Sequence, residues 1–257
     1  MKVAVAGGTG VAGRWTVSAL RDAGHEPVVL ARSAGVDLVS GEGLAAALAG
    51  ADAVIDVSNI AGTKAAVVSP FFEAVSRNLM REAAAASVGH IVALSIIGID
   101  RVRFGYYQGK LRQEAVLAES PVPVSILRAT QFHEFPGQYL TRFSGRLVVV
   151  PRWRVQPVAA REVGAELARL AGGAPPATGA PARSALAGPR EENMADMIRQ
   201  VSARQGARRR VIEVRLPGAT GKAMAAGKNL AGPEVPRGTQ TFADWLAGDI
   251  PEAGGTS

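Results

Sequence analysis

The chain has 257 residues, 47% of them hydrophobic, which is material for one full α/β core; no apolar run is long enough to span a bilayer, so no membrane partner is expected. The absence of cysteine rules out disulfides, thiolate metal sites and a cysteine nucleophile and suits a cytoplasmic protein, while His25, His90 and His133 are scattered without ligand spacing, so no metal is expected. The net charge of +7 has its densest run in Arg208-Arg209-Arg210, but that run lies between a helix ending near Gly206 and a strand over Val211-Ile212-Glu213-Val214 with no interleaved aromatics, which reads as a solvated loop and not as a nucleic-acid site.

The first element is Lys2-Val3-Ala4-Val5-Ala6, a short apolar run suited to a buried strand, and the N-terminus enters it directly, so no signal peptide is expected. Gly7-Gly8-Thr9-Gly10-Val11-Ala12-Gly13 follows, and a helical stretch runs from Val11 to about Ala23. Strand, glycine loop and helix in that order are the context of a dinucleotide-binding turn. Glycine at 7, 10 and 13 lets the backbone turn tightly, approach a pyrophosphate and pack the new helix on the strand, and the helix start offers free N–H groups to the phosphates; Gly7, Thr9, Gly10, Val11, Ala12 and Gly13 are therefore candidate cofactor contacts. The second strand is read over Pro27-Val28-Val29-Leu30 and ends in Ala31-Arg32-Ser33. A basic residue at that end suits the 2′-phosphate of NADP where an acidic one would suit the ribose of NAD, so Arg32, with Ser33 beside it, points to NADP(H) over NAD(H); a solvated strand-end arginine is the alternative. Asp37 and Leu38 would close a very short third strand and reach the adenine, or Asp37 is a simple turn residue.

A helix near Gly43 to Leu48, a strand over Ala53-Val54-Ile55-Asp56-Val57, a long helix ending near Ala86, a strand over His90 to Leu94, a helix from Tyr106 to about Glu119 and a strand over Val124 to Leu127 continue the alternation. Such repetition predicts a doubly wound parallel sheet with helices on both faces and ligands beyond the carboxyl ends of the strands, where Ser58, Asn59 and Ser95 fall. Tyr106 and Lys110 are four apart and share a helix face, while Tyr107, Leu111, Ala115 and Ala118 form another stripe, read as the core face. Beyond Leu127 come an aromatic-rich segment over Thr130 to Arg154, a helix from about Ala160 to Leu170, a loop from Gly172 to Ala182, a last strand at Ser184 to Ala187 and helices near Glu192 to Arg204 and Phe242 to Leu246. The tail from Pro251 to Ser257 is expected to be disordered. The whole reads as a single Rossmann-type α/β unit, with a core over 1–130 and 156–188 and a small C-terminal α/β substrate cap over 131–155 and 189–250.

The glycine loop, together with Leu94-Ser95-Ile96-Ile97-Gly98, Tyr106-Tyr107-Gln108-Gly109-Lys110-Leu111 and Ile126-Leu127-Arg128-Ala129-Thr130-Gln131-Phe132, resembles the short-chain dehydrogenase/reductase superfamily, in its NmrA-like branch of NAD(P)H-binding proteins. Gln156-Pro157-Val158 and Thr241-Phe242-Ala243-Asp244-Trp245-Leu246 are similar to the C-terminal region of that branch. The resemblance implies a hydride-transfer site in which Ser95 positions the substrate oxygen, Tyr106 donates its proton, and Lys110 holds the nicotinamide ribose and lowers the tyrosine pKa. It implies an NADPH-dependent reductase of a carbonyl, quinone or conjugated enone; relatives that sense the nucleotide without turnover, and isomerases or epimerases that keep it bound, are the alternatives. Gln131, Phe132, His133 and Phe135 are the candidate substrate contacts, with Phe71 and Phe72 as further walls, and the partners expected are an apolar small molecule and, at most, a second copy of the chain.

Overall fold

Alternation along the short strands sends neighbouring side chains to opposite faces, and the computed structural model, which describes residues 1–207 and 209–248, shows both faces buried along the central strands. The sheet comprises β1 (Lys2–Ala6), β2 (Glu26–Leu30), β3 (Ala53–Asp56), β4 (His90–Ile96), β5 (Val124–Ala129) and a later strand, Ala182–Leu186, which is β8 in chain order; the spatial order is β2-β1-β3-β4-β5-β8 and every pairing is parallel. Helices α1 (Val11–Asp22), α2 (Leu44–Leu48), α3 (Ala65–Ala85) and α4 (Gly105–Leu117) alternate with the strands. After β5 come α5 (Phe135–Leu140), β6 (Leu147–Pro151), β7 (Arg154–Val155) and α6 (Ala160–Gly172). Beyond β8 lie β9 (Glu192–Asn193), α7 (Met194–Arg204), β10 (Arg210–Val214), α8 (Gly218–Ala225) and α9 (Phe242–Ala247).

Val3, Val5, Ile55, Val92 and Leu127 face α1 and α6, while Ala4, Ala6, Val54, Ile91 and Ile126 face α2, α3 and α4. At roughly 25 cal/mol per Å² of apolar surface removed from water, these two layers supply the main favourable term of folding. A third cluster is built from the C-terminal segments: Val148 and Val150 of β6, Met197, Ile198 and Val201 of α7, and Phe242 and Trp245 of α9 pack against Ile99, Val102 and Tyr107. These C-terminal segments thus share an apolar cluster with the start of α4, which carries candidate site residues. Two small sheets lie outside the main one, β6 with β10 in parallel and β7 with β9 antiparallel.

Three sequence expectations need correction or placement. No third strand forms at Asp37 and Leu38: Arg32–Ala34 is a short 3-10 turn and the Asp37 carboxylate accepts the N–H groups of Val39 and Ser40 at 2.7 and 2.9 Å, the turn role left open above. The buried face of α4 is also not the one expected. Tyr107 is buried, but Ala115 and Ala118 are exposed, and the inward residues are Lys110, Gln113, Glu114, Val116 and Leu117, because polar partners on β3, β4 and β5 receive the charged ones. The expected disordered tail and Arg208 lie outside the described residues.

Candidate functional site

Strand order reverses between β1 and β3, since the chain leaves β1 for β2 on one side and returns to β3 on the other. In an open α/β sheet, that reversal leaves a crevice at the carboxyl ends. Gly7 takes φ +79°, and a Cβ there would lie 2.8 Å from Ser58 Cα, so the loop after β1 rests on the turn after β3. At Gly13 a Cβ would fall 2.1 Å from Gly7 O and 2.6 Å from Gly8 Cα; only glycine lets α1 begin this close to the loop. Gly10 is different: it is extended, with φ −74° and ψ 179°, and a Cβ would meet only Gly7 O, at 3.3 Å. Its missing side chain is therefore scarcely required by the protein's own packing.

Gly10 is also the N-cap of α1 and supplies no capping side chain, which leaves first-turn N–H groups to an anion. Ser58, against Gly7, is buried and its Oγ has no partner. An uncapped helix start, a loop open at Gly10 and an orphaned hydroxyl at the switch point fit the pyrophosphate of a dinucleotide. Thr9 is exposed, Val11 half-buried and Ala12 buried, all within the same turn. Arg32 and Ser33 are exposed at the end of β2, and Arg32 helps to hold the Asp37 carboxyl below its ordinary value, after the hydrogen bonds from Ser40 and Val39. Asp37 is spent on its turn and Leu38 packs into the core, so neither is arranged as an adenine contact.

Around α4 the expected Ser, Tyr and Lys set is dispersed among different partners. The Tyr106 hydroxyl donates to Asn59 Oδ1 at 2.6 Å, which brings it to the turn after β3, beside the glycine loop. Its ring stands edge-on to Phe72, with centroids 5.8 Å apart. Burial pushes the Tyr106 phenol above its ordinary value, and Tyr107 and Asp56 push the same way, so the expected lowering by Lys110 is not seen. Lys110 is only 4% exposed; its Nζ donates to Leu94 O at 2.8 Å and Gln113 Oε1 at 2.6 Å and lies 4.4 Å from the centroid of the Phe72 ring. Burial pushes this ammonium down to about 8, against the pull of Asp56 and Glu114. Ser95 is 2% exposed and its Oγ donates to Glu114 Oε1 at 2.6 Å, so its proton is not offered to the crevice. Glu114 is in turn held by Arg128 from β5, Nε to Oε1 at 2.9 Å and Nη2 to Oε2 at 2.7 Å. Neither Glu114 nor Gln113 was singled out in the sequence. Their spacing of three and four from Lys110 was the available signal.

The substrate candidates divide likewise. His133 is fully buried, its Nε2 3.0 Å from Gln240 O and its ring packed on Phe242 and Trp245, so it does not face an open pocket. Burial pushes this imidazole down to about 4, although Gln240 O, Glu162 and Asp244 act the other way. Phe132 packs against the core layer of α1 and α6, and Phe135 stands edge-on to Trp153 at 5.6 Å. Phe72 is fully buried core, and Phe71 is partly buried against the layer of α2, α3 and α4. Gln131 is half-buried; its Oε1 accepts Gln156 N at 3.4 Å and its amide nitrogen has no partner. Beside His133, burial pushes the Glu134 carboxyl up to about 7, with Arg14 of α1 and Trp245 of α9 among the groups that moderate it. Among the described residues no cluster could hold a metal ion, and no helix is long and apolar enough to cross a membrane.

Comparison with known proteins agrees with this fold. No curated protein matches the chain. Among solved structures, the fold is similar to a triphenylmethane reductase from Citrobacter sp. complexed with NADP(H), at 16% identity and a TM-score of 0.66, covering 91% of this chain and 93% of that one. It is similar to an NADPH-dependent quinone oxidoreductase from Escherichia coli, at 15% identity and a TM-score of 0.62, covering 95% and 98%. It is also similar to a nucleoside-diphosphate-sugar epimerase from Staphylococcus aureus, at 16% identity and a TM-score of 0.68, covering 96% and 99%. A family model described as NAD(P)H-binding matches residues 7–160, from the glycine loop to the start of α6, and the chain belongs to that NAD(P)H-binding family.

Proposed function

We propose that the protein is an NADPH-dependent reductase of a carbonyl, quinone or conjugated enone, with Tyr106 as the proton donor. The observation that carries this reading is the 2.6 Å bond from the Tyr106 hydroxyl to Asn59, which brings an acid to the switch point that the glycine loop borders. A bound NADPH supplies the hydride. Tyr106 then turns its hydroxyl proton from Asn59 Oδ1 to the acceptor oxygen and delivers it there. Arg32 is the candidate for the 2′-phosphate, and Phe135, in the same apolar cluster as Tyr106, suits a planar apolar acceptor.

Tyr106→Phe keeps the ring against Phe72 and removes the hydroxyl, so turnover should fall about a hundred- to ten-thousand-fold while NADPH affinity stays the same. A wild-type rate in this variant refutes Tyr106 as the acid. The engagement of Ser95 and Lys110 in internal bonds favours a second reading, a nucleotide-binding regulator without turnover. NADPH oxidation across naphthoquinone, cyclohexenone and cyclohexanone, followed at 340 nm, a wavelength set by the cofactor, separates the two.

A further inference from the structure

Buried charges are retained in a core only where other groups pair with them, and they are replaceable by apolar residues where position does not matter. Asp56, the last residue of β3, is fully buried. Its Oδ1 accepts Ser58 N at 2.9 Å and its Oδ2 accepts Gln113 Nε2 at 2.7 Å. The other end of the same amide, Gln113 Oε1, accepts Lys110 Nζ at 2.6 Å. One glutamine amide thus links a buried carboxylate to a buried ammonium.

This link closes a circuit through the proposed acid. The Asp56 bond to Ser58 N shapes the turn after β3, and the next residue in that turn, Asn59, receives the Tyr106 hydroxyl. Tyr106, Lys110 and Gln113 are spaced by four and three on α4 and so share a face. The helix therefore grips the end of β3 at two points, through Gln113 on Asp56 and through Tyr106 on Asn59. Resting on the reductase reading above, we propose that Asp56 and Gln113 are positioning residues for Tyr106: their buried bridge to Lys110 fixes the turn after β3 so that Asn59 holds the phenol in its working position. Neither touches the acceptor.

The test uses the full chain with Gln113→Met, which keeps the length of the side chain and removes both amide bonds, in the wild-type and in the Tyr106→Phe background. In the wild-type background kcat with naphthoquinone should fall about ten- to a hundred-fold, the loss expected of a displaced catalytic group, with KM for NADPH within about twofold. In the Tyr106→Phe background the same substitution should leave kcat about unchanged, since there is no phenol left to misplace. Equal losses in both backgrounds overturn the proposal, because a general weakening of the fold is blind to Tyr106. The Cζ resonance of Tyr106 in tyrosine-labelled protein, assigned by its loss in Tyr106→Phe, reports the hydrogen bond without turnover. It should move in Gln113→Met; an unmoved resonance overturns the proposal even if the protein turns over nothing. If Tyr106→Phe keeps the wild-type rate, the reductase reading has failed separately and the resonance alone decides the positioning role. Should Gln113→Met not fold, Asp56→Asn serves, since it keeps an oxygen for Ser58 N and, whichever way the Gln113 amide turns, costs that amide one of its two bonds.

Discussion

Two glycines in one loop should respond to substitution in opposite ways. At Gly13 a Cβ meets backbone at 2.1 and 2.6 Å, with no flexible side chain to yield, so Gly13→Ala must push α1 off the loop. Overpacking of this kind costs about 1–3 kcal/mol, and contact with backbone atoms puts it near the upper end, about 3 kcal/mol. For a chain of this size that is a drop of about 6–12 °C in Tm. At Gly10 the backbone is extended and a Cβ meets only Gly7 O at 3.3 Å, so Gly10→Val should cost about 0.5 kcal/mol, or about 2 °C. Its branched side chain instead occupies the space through which a pyrophosphate reaches the first-turn N–H groups of α1. Losing two charge-assisted bonds, at about 1.5–3 kcal/mol each, weakens NADPH binding about a hundred-fold or more. Thermal unfolding followed by circular dichroism, with and without NADPH, and a fluorescence titration of NADPH read both effects. Gly13→Ala should melt early, and Gly10→Val should melt within about 2 °C of the wild-type temperature yet show no gain on adding NADPH. Undiminished NADPH affinity in Gly10→Val, or a wild-type Tm in Gly13→Ala, refutes the division of labour.

Arg32→Ala should weaken NADPH about ten- to a hundred-fold and leave NADH little changed, the loss of one charge-assisted contact to the 2′-phosphate; equal losses in paired titrations would remove Arg32 from that site. Arg128→Met leaves Glu114 buried without its bidentate partner, which should cost about 3 kcal/mol and lower Tm by about 6–12 °C in a thermal melt, with Ser95 and the more distant Arg183 as its remaining contacts. Stability should also depend on pH through His133, whose folded imidazole is pushed from its ordinary 6.5 to about 4 by burial. Because the unfolded histidine takes its proton first, the contribution is whole above pH 6.5 and is lost as pH falls toward 4, by up to about 3 kcal/mol. Glu134, raised from 4.5 to about 7, works in the other direction, since its ionisation cost is complete above pH 7 and gone below 4.5. Denaturant melts of wild type and His133→Phe at about pH 7.5 and about pH 5 should therefore differ in their pH dependence, the change on acidification being about 2 kcal/mol more favourable in the variant; an identical change in both would refute the assignment to His133.

What could be read along the chain was whatever is set by neighbours in sequence. The short apolar run from Val3 to Ala6, the glycine spacing after it, and the alternation of strands and helices through Leu127 describe local backbone, and they were sufficient to place the parallel sheet, α1 and the crevice at its carboxyl ends. Asp37, open in sequence between a strand end and a turn, was settled by its own carboxylate bonding two N–H groups just downstream, a local alternative that competes with pairing.

The inner face of α4 was decided by tertiary structure alone. Counting apolar residues placed Ala115 and Ala118 inside, whereas the structure buries Lys110, Gln113 and Glu114, because their partners Leu94, Asp56 and Arg128 come from strands distant in sequence and satisfy them once the sheet has formed. The same holds for His133, enclosed by Phe242 and Trp245 from the far end of the chain. The sequence by itself determined the scaffold and its nucleotide loop, since those rest on backbone periodicity and on glycine. Only the tertiary structure decided which polar groups stand at the crevice and which are paired beneath it, since the sign of burying a polar group depends on partners that local sequence does not contain.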